Sequence, residues 1–392
     1  MNQLINILTF LTFFLFSACH HHTNEAQELE IGADRQTMYV SQLEGKHVAL
    51  LVNHTSLVKE GHLVDVLLKK DINVKKIFSP EHGFRGKADA GEKLTDSKDP
   101  ETGLPVISLY GKNRKPTPGM LEGLDVVVFD IQDVGVRFYT YISTMHYMME
   151  ACAENGVKMI VLDRPNPNGY YVDGPVREPE FRSFVGMHPI PVVHGMTVGE
   201  IARMINGEKW LEGGVKCDLT VVPVKNYTHG MRVPIRVKPS PNLPNDRAVN
   251  LYPSLCFFEG TRISVGRGTH FPFQVAGYPD FAFGAFSFTP ESIDGMAKHP
   301  KLEEQKCYGI DLRKGPPLQK LELKYLIEFY NKWKEKEDFF NKFFNKLAGN
   351  EILQQQIREG LTEEQIRDSW EDDLKVFKQM RKKYLLYTDF EK

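Results

Sequence analysis

Between residues 46 and 163, short apolar runs rich in β-branched residues alternate with stretches of helical spacing. Residues 47–53 read as a strand, 63–70 as a helix and 74–78 as the next strand. Residues 106–110 predict a short strand, and 125–130 the clearest buried strand in the chain. Residues 142–155 carry helical spacing that stops at Gly156, and 157–162 form another buried strand. Continuously apolar strands separated by helices predict a parallel sheet covered on both faces. The expected class is α/β, with a Rossmann-like parallel sheet domain over residues 44–190 and a smaller α+β domain over 191–392. In the second part, residues 196–210 read as a helix, with Thr197 and Glu200 at capping-box spacing, and 219–224 as a strand. Residues 233–286 are rich in Pro, Gly and aromatic side chains. The stretches 326–333 and 370–387 alternate apolar and charged positions at helical spacing, which predicts packing helices with solvated faces.

The first residues follow another pattern. Positions 4–16 are apolar except for Asn6, Thr9 and Thr12. That run is too short for a membrane span of ~20 apolar residues. It suits the core of an export signal, so residues 1–18 are expected to be a signal peptide. Ser17 and Ala18 precede Cys19, as in a bacterial lipobox, although no Lys or Arg precedes the apolar run. The expected product is exported and lipid-anchored through Cys19, in the periplasm or cell envelope, with residues 19–43 as a tether. An ordinary cleaved signal with an incidental cysteine is the alternative. His20, His21 and His22 fall in that tether, where a solvated linker is the simpler reading than a metal site. Cys152 follows Met148 and Met149 on an apolar helix face and reads as a buried free thiol.

With 392 residues, 41% hydrophobic and 26% charged, the chain has the profile of a folded protein of about two domains. A formal net charge of −2 gives no electrostatic case for nucleic acid. An anionic substrate must be held by a local basic group.

Open α/β sheets bind ligands outside the carboxyl ends of their strands. Four polar loops follow predicted strands: Asn53-His54-Thr55, the run from Ser79 to Gly86, the run from Asp130 to Arg137, and the run from Asp163 to Gly169. Walker A, G-x-G-x-x-G, H-E-x-x-H and G-x-S-x-G patterns are absent. No cofactor and no metal are therefore expected, and the chemistry falls to carboxylates, His, Arg and Tyr.

Glu81 lies beside His82 in a loop with Pro80 and Gly83. A carboxyl in a closed, partly apolar loop can serve as a general acid; alternatively it pairs with Arg85 or caps a helix. Asp130 ends a buried strand and must be paired or functional, with Gln132, Arg137, Tyr139 and Tyr141 close behind. It could instead be tied to backbone N–H groups of its own loop. Asp163, Arg164 and Asn168 fit a rim that fixes hydroxyls, or a turn built by Pro and Asn. His194 faces a ligand or closes the domain junction. Arg267 between Gly266 and Gly268 fits a site that grips a carboxylate with a two-pronged fork.

The run from Ser79 to Gly86, the run from Phe129 to Tyr141, the run from Leu162 to Gly169, and Phe258-Glu259-Gly260-Thr261 with Gly266-Arg267-Gly268-Thr269 resemble the exo-β-N-acetylmuramidase family of NamZ type. This family was formerly a domain of unknown function. The resemblance runs from about Glu44 to the C-terminus. It implies an active site between a Rossmann-like and a smaller domain, and hydrolysis of terminal β-1,4-linked N-acetylmuramic acid from peptidoglycan-derived saccharides. By motif match the family's catalytic glutamate falls on Glu81. Asp130 is the candidate for a second carboxylate, unless the substrate's 2-acetamido group takes the nucleophile's place. Arg137, Arg164 and Arg267 are candidates to read the lactyl carboxylate. His82, Gln132, Tyr139, Asp163, Asn168 and His194 complete the expected substrate contacts. Two alternatives stand beside this: another exo-hexosaminidase, and a muropeptide-binding lipoprotein without activity.

Overall fold

The computed structural model describes residues 28–81, 83–84, 97–111 and 113–391. Cys19, the expected signal peptide, His82 and Arg85 lie outside the described residues. The chain runs through β1 (Val48–Val52), the hairpin β2 (Leu57–Val58) and β3 (Gly61–His62), and α1 (Leu63–Lys69). It continues through β4 (Val74–Ser79), β5 (Ser97–Lys98), β6 (Pro105–Ser108), α2 (Pro118–Leu121) and β7 (Val126–Asp130). Then come α3 (Tyr141–Asn155), β8 (Lys158–Leu162), α4 (Val198–Gly207) and β9 (Leu219–Val222).

Seven of these strands make one sheet in the order β5-β6-β4-β1-β7-β8-β9, parallel throughout except for β5 against β6. Strand periodicity divides its side chains between two layers. Leu50, Val128 and Ile160 enter one buried cluster with α1; Leu51, Val127, Phe129 and Val161 enter the other with α3 and α4. Both faces are covered, which is why these strands are apolar without alternation. α3 ends where the sequence indicates: Gly156 takes φ 65, the left-handed position that closes a helix without a Cβ clash. The Thr197–Glu200 capping box forms at the start of α4.

Two expected boundaries move. α4 packs on the sheet and β9 pairs with β8, so the boundary expected at residue 190 cuts through the first domain. The tether expected to reach residue 43 is folded from about Glu30. Glu30 pairs with Lys225, and Ile31, Ala33, Tyr39 and Leu43 are buried beneath the sheet. Burial of these apolar side chains acts together with backbone bonds from Glu30 to Lys225 and from Gly32 to Asp163 to hold the stretch against the first domain.

The second domain holds α5 (Asp246–Leu255), β10 (Val275–Tyr278), β11 (Phe286–Phe288), β12 (Cys307–Asp311) and α6 (Lys324–Lys332). It ends with α7 (Phe344–Ala348), α8 (Ile352–Arg358), α9 (Glu363–Asp368) and α10 (Glu371–Lys382). Its sheet is antiparallel in the order β10-β12-β11. One apolar cluster continues from the large sheet into this domain, where Phe138 meets Tyr252 and Phe257 edge-on at 5.3 and 5.9 Å. Cys152, Cys217, Cys256 and Cys307 are buried free thiols.

Candidate active site

A cleft of about 370 Å³ opens between the two domains at the carboxyl ends of the strands. β4 delivers Glu81 to it, the turn after β6 delivers Tyr110 and Arg114, and the chain after β7 delivers Phe138, Tyr139 and Tyr141. The second domain adds Tyr252, Glu259, Arg267, Phe273 and Lys346. Glu81 is hydrogen-bonded to Tyr110; burial and the neighbouring carboxylate push the Tyr110 hydroxyl up to about 12. Burial also raises Tyr139 well above the usual phenol range. The hydroxyl of Tyr139 donates to Pro239 O at 2.7 Å, and Asn53 Nδ2 donates to the Tyr141 hydroxyl at 3.0 Å.

Those bonds hold a crossing segment in place. His54 Nε2 lies 2.9 Å from Lys238 O, so residues 238–243 run over the ends of β1 and β7. On one side of this strap lies the Glu81 cleft, lined by Ser240, Asn242 and Leu243. On the other lies a second cavity of about 260 Å³, lined by Gln132, Arg164, Pro167 and residues 233–237. The rim that looks continuous in sequence is thus divided in two.

Of the expected site residues, the fold brings Glu81, Tyr139 and Arg267 to one cleft. Arg267 grips Glu259 in a two-pronged pair at 2.6 and 3.1 Å, so its fork is occupied. Arg137 is fully buried and donates to four backbone carbonyls: Pro175, Ile190, Leu347 and Ala348, at 2.7 to 2.8 Å. It braces the two domains and lines neither of the two cavities. Asp130 is buried against Arg164, with Nε–Oδ1 2.5 Å and Nη2–Oδ2 2.8 Å, and neither lines the Glu81 cleft. Gln132 donates to Asp133 O and Pro165 O.

Three further expected contacts turn inward. Asp163 accepts from Gly199 N at 2.8 Å, Thr197 Oγ1 at 2.7 Å and the Tyr387 hydroxyl at 2.5 Å, which ties α4 and the C-terminal segment to β8. Asn168 donates to Val134 O and Val249 O from a fully buried position. His194 is buried and accepts from Met196 N at 3.2 Å; desolvation lowers its pKa to about 3, which leaves it neutral.

The expected set omits Tyr110, Arg114, Asn242 and Lys346. Asn242 lies in the Pro-rich run that reads as a loop, and Tyr110 ends a predicted strand; Arg114 and Lys346 belong to no pattern that sequence could flag. Two buried polar atoms on the cleft wall, Asn242 Oδ1 and Ser183 Oγ, have no hydrogen-bond partner among the described residues. Buried polar groups are nearly always satisfied, so these two atoms have bonding capacity left for water or a ligand in the cleft.

Asp133 sits near the tyrosine pair. Gly135 N donates to its Oδ2 at 2.7 Å, Oδ1 has no partner among the described residues, and burial pushes the carboxyl up to about 7. Gly135 takes φ +75, and a Cβ there would lie 2.0 Å from Asn166 Oδ1, so the turn requires glycine. In the folded protein Asp133 releases its proton near pH 7, whereas the unfolded chain releases it near ~3.9. The folded state therefore binds the extra proton in that window, and stability from this group falls as pH rises from about 4 to about 7. Asp133→Asn removes the fall. Its melting temperature relative to wild type is expected to climb between about pH 4 and about pH 7 and then level off. A difference that stays flat across that range would rule the shift out.

The fold and site define a two-domain α/β enzyme with its cleft at the strand ends, where a carboxyl group stands among aromatic rings and basic side chains. The chain belongs to the exo-β-N-acetylmuramidase NamZ family: the family's N-terminal model matches residues 48–247 and its C-terminal model residues 250–387. It is similar to the peptidoglycan β-N-acetylmuramidase NamZ of Bacillus subtilis (strain 168), 42% identical over 382 residues and covering 89% of each chain. Two solved DUF1343 family proteins of Bacteroides fragilis share its architecture. The first has a TM-score of 0.86 at 44% identity, the second 0.79 at 31%; each comparison covers 92% of this chain and 99% of the other.

Proposed function

We propose that the protein is an exo-acting glycoside hydrolase that releases terminal β-1,4-linked N-acetylmuramic acid from the non-reducing ends of peptidoglycan fragments. The observation that carries this reading is Glu81, set at a strand end in the interdomain cleft and hydrogen-bonded to Tyr110. A sugar alkoxide leaves poorly, so the glycosidic oxygen must gain a proton as its bond to the anomeric carbon breaks. Glu81 donates that proton. Tyr139, Tyr141, Tyr252 and Phe273 give the cleft an aromatic wall.

The nucleophile is the substrate's own acetamido oxygen. It bonds to the anomeric carbon as the leaving sugar departs, and water then opens the ring while the Glu81 carboxylate takes its proton. Two observations support this. Among the described residues, Asp130 is paired with Arg164 away from the cleft, and Glu259, on the cleft wall, has both oxygens engaged by Arg267. Asn242 Oδ1, unpartnered on the cleft wall, suits the acetamide N–H, because its Nδ2 already donates to Met296 O at 2.8 Å.

Incubating the purified protein with the disaccharide N-acetylmuramyl-β-1,4-N-acetylglucosamine, with nothing added, tests the activity. Free N-acetylmuramic acid, identified by mass, is expected, with no internal cleavage of longer chains. Binding without release would favour a muropeptide-binding role, and equal attack on chains ending in N-acetylglucosamine would favour a general exo-hexosaminidase.

The same reading places the enzyme at the cell envelope, held by lipid on Cys19. The small residues before that cysteine support it. Cys19→Ala is expected to shift the protein from the membrane fraction to the soluble fraction or to leave the precursor unprocessed. Normal processing with membrane retention would remove the anchor.

A further inference from the structure

Three cations line the Glu81 cleft among the described residues: Arg114, Arg267 and Lys346. The Glu259 carboxylate takes both prongs of Arg267. Arg114 and Lys346 have no carboxylate partner among the described residues, and both are exposed on the cleft wall. They come from opposite sides, Arg114 from the turn after β6 and Lys346 from the last turn of α7. Setting aside the Glu259–Arg267 pair, the described lining carries two positive groups and the single carboxyl of Glu81.

Arg114 is the better placed of the two. Its guanidinium lies 4.2 Å over the Phe184 ring, which is itself part of the wall. Stacking fixes the plane of the fork before any ligand arrives, so less side-chain entropy is lost on binding. Arg114 also follows Tyr110 by four residues, and its charge acts on the Tyr110 hydroxyl that bonds Glu81. A carboxylate gripped by Arg114 would lie in the same cleft as the bond that Glu81 protonates.

We infer that Arg114, stacked on Phe184, forms an anion subsite that binds the 3-O-lactyl carboxylate of the terminal sugar, with Lys346 adding charge from the facing domain. The assignment rests on the muramidase reading and names the group that gives it selectivity. N-acetylglucosamine has the same ring and acetamide but no lactyl group, so it forfeits this contact. Phe184 is a positioning residue, because it acts through Arg114.

The test has two arms on wild type, Arg114→Ala, Arg114→Lys, Phe184→Leu and Lys346→Ala. In the first, kcat/KM is measured on paired chromogenic β-N-acetylmuraminide and β-N-acetylglucosaminide substrates. Arg114→Ala is expected to lower the muramyl-over-glucosaminyl ratio by ~10–100-fold, the range for a lost hydrogen bond to a charged group, mostly through KM. Lys should restore part of it, since it lacks the planar fork, and Phe184→Leu should show a smaller loss of the same kind. In the second arm, equilibrium binding of N-acetylmuramic acid is compared with that of its methyl ester. Wild type should prefer the acid, and Arg114→Ala should erase the preference.

An acid-over-ester preference that survives in Arg114→Ala overturns the assignment. So does a loss of preference confined to Lys346→Ala. Should wild type turn over neither glycoside yet prefer the acid through Arg114, the hydrolase reading falls and the anion subsite stands. Arg114 is exposed, so these variants are expected to fold.

Discussion

Glu81→Gln is expected to lower turnover of the natural disaccharide by ~10²–10⁴-fold, the contribution of general acid catalysis. The change keeps the shape of the side chain and the hydrogen bond with Tyr110, and removes the transferable proton. The loss should depend on the leaving group. An aryl glycoside with an acidic phenol departs without much protonation, so the mutant should retain far more of its rate on that substrate. KM should move little, because the proton is passed in the transition state. Steady-state kinetics on the disaccharide and on a nitrophenyl muraminide measure both. An equal loss on the two substrates would make Glu81 a nucleophile or a structural residue. Near-normal turnover of the disaccharide would end its catalytic role and turn attention to His82.

The second large effect is on stability. Asp130→Asn is expected to destabilise the fold by ~3–5 kcal/mol, the cost of leaving one charge of a buried pair without its partner. Asp130 is fully buried and its carboxylate receives both the Nε and Nη2 of Arg164. Among the described residues the Arg164 guanidinium has one other bond, from Nη2 to Leu57 O at 3.1 Å, so removal of the carboxylate charge leaves it largely uncompensated. Denaturant unfolding should show the loss, while kcat of the folded fraction in the cold stays within a few-fold of wild type. The opposite pattern, turnover down a hundredfold or more with stability unchanged, would return Asp130 to the chemistry.

The contrast between these two carboxylates shows what the chain itself makes legible. Both end apolar strands in polar loops, and by sequence both are candidates for catalysis. Glu81 reaches the cleft. Asp130 meets an arginine thirty-four positions on, delivered by the neighbouring strand β8, and is spent on packing. Arg137 is the same lesson for a cation. Its motif suggests a ligand, and its guanidinium instead collects carbonyls from residues 175, 190, 347 and 348.

The amino-acid sequence by itself determined the main strands and helices of the first domain and the class of fold, but not the strands of the second. Apolar β-branched runs must be buried on both faces, which dictates a parallel sheet; Gly156 ends α3, and Thr197 with Glu200 starts α4. It also placed the polar loops at the strand ends, since backbone direction and strand length are local matters. Tertiary structure decided which polar side chains face the cleft. That choice depends on segments far away in the chain: the strap at residues 238–243 that splits the rim, the Glu259 that occupies Arg267, and the α7 turn that brings Lys346 to the wall. The large sheet likewise extends to β9 and the ordered chain begins near Glu30, because pairing with β8 and with Lys225 is a long-range event that leaves no local periodicity to read.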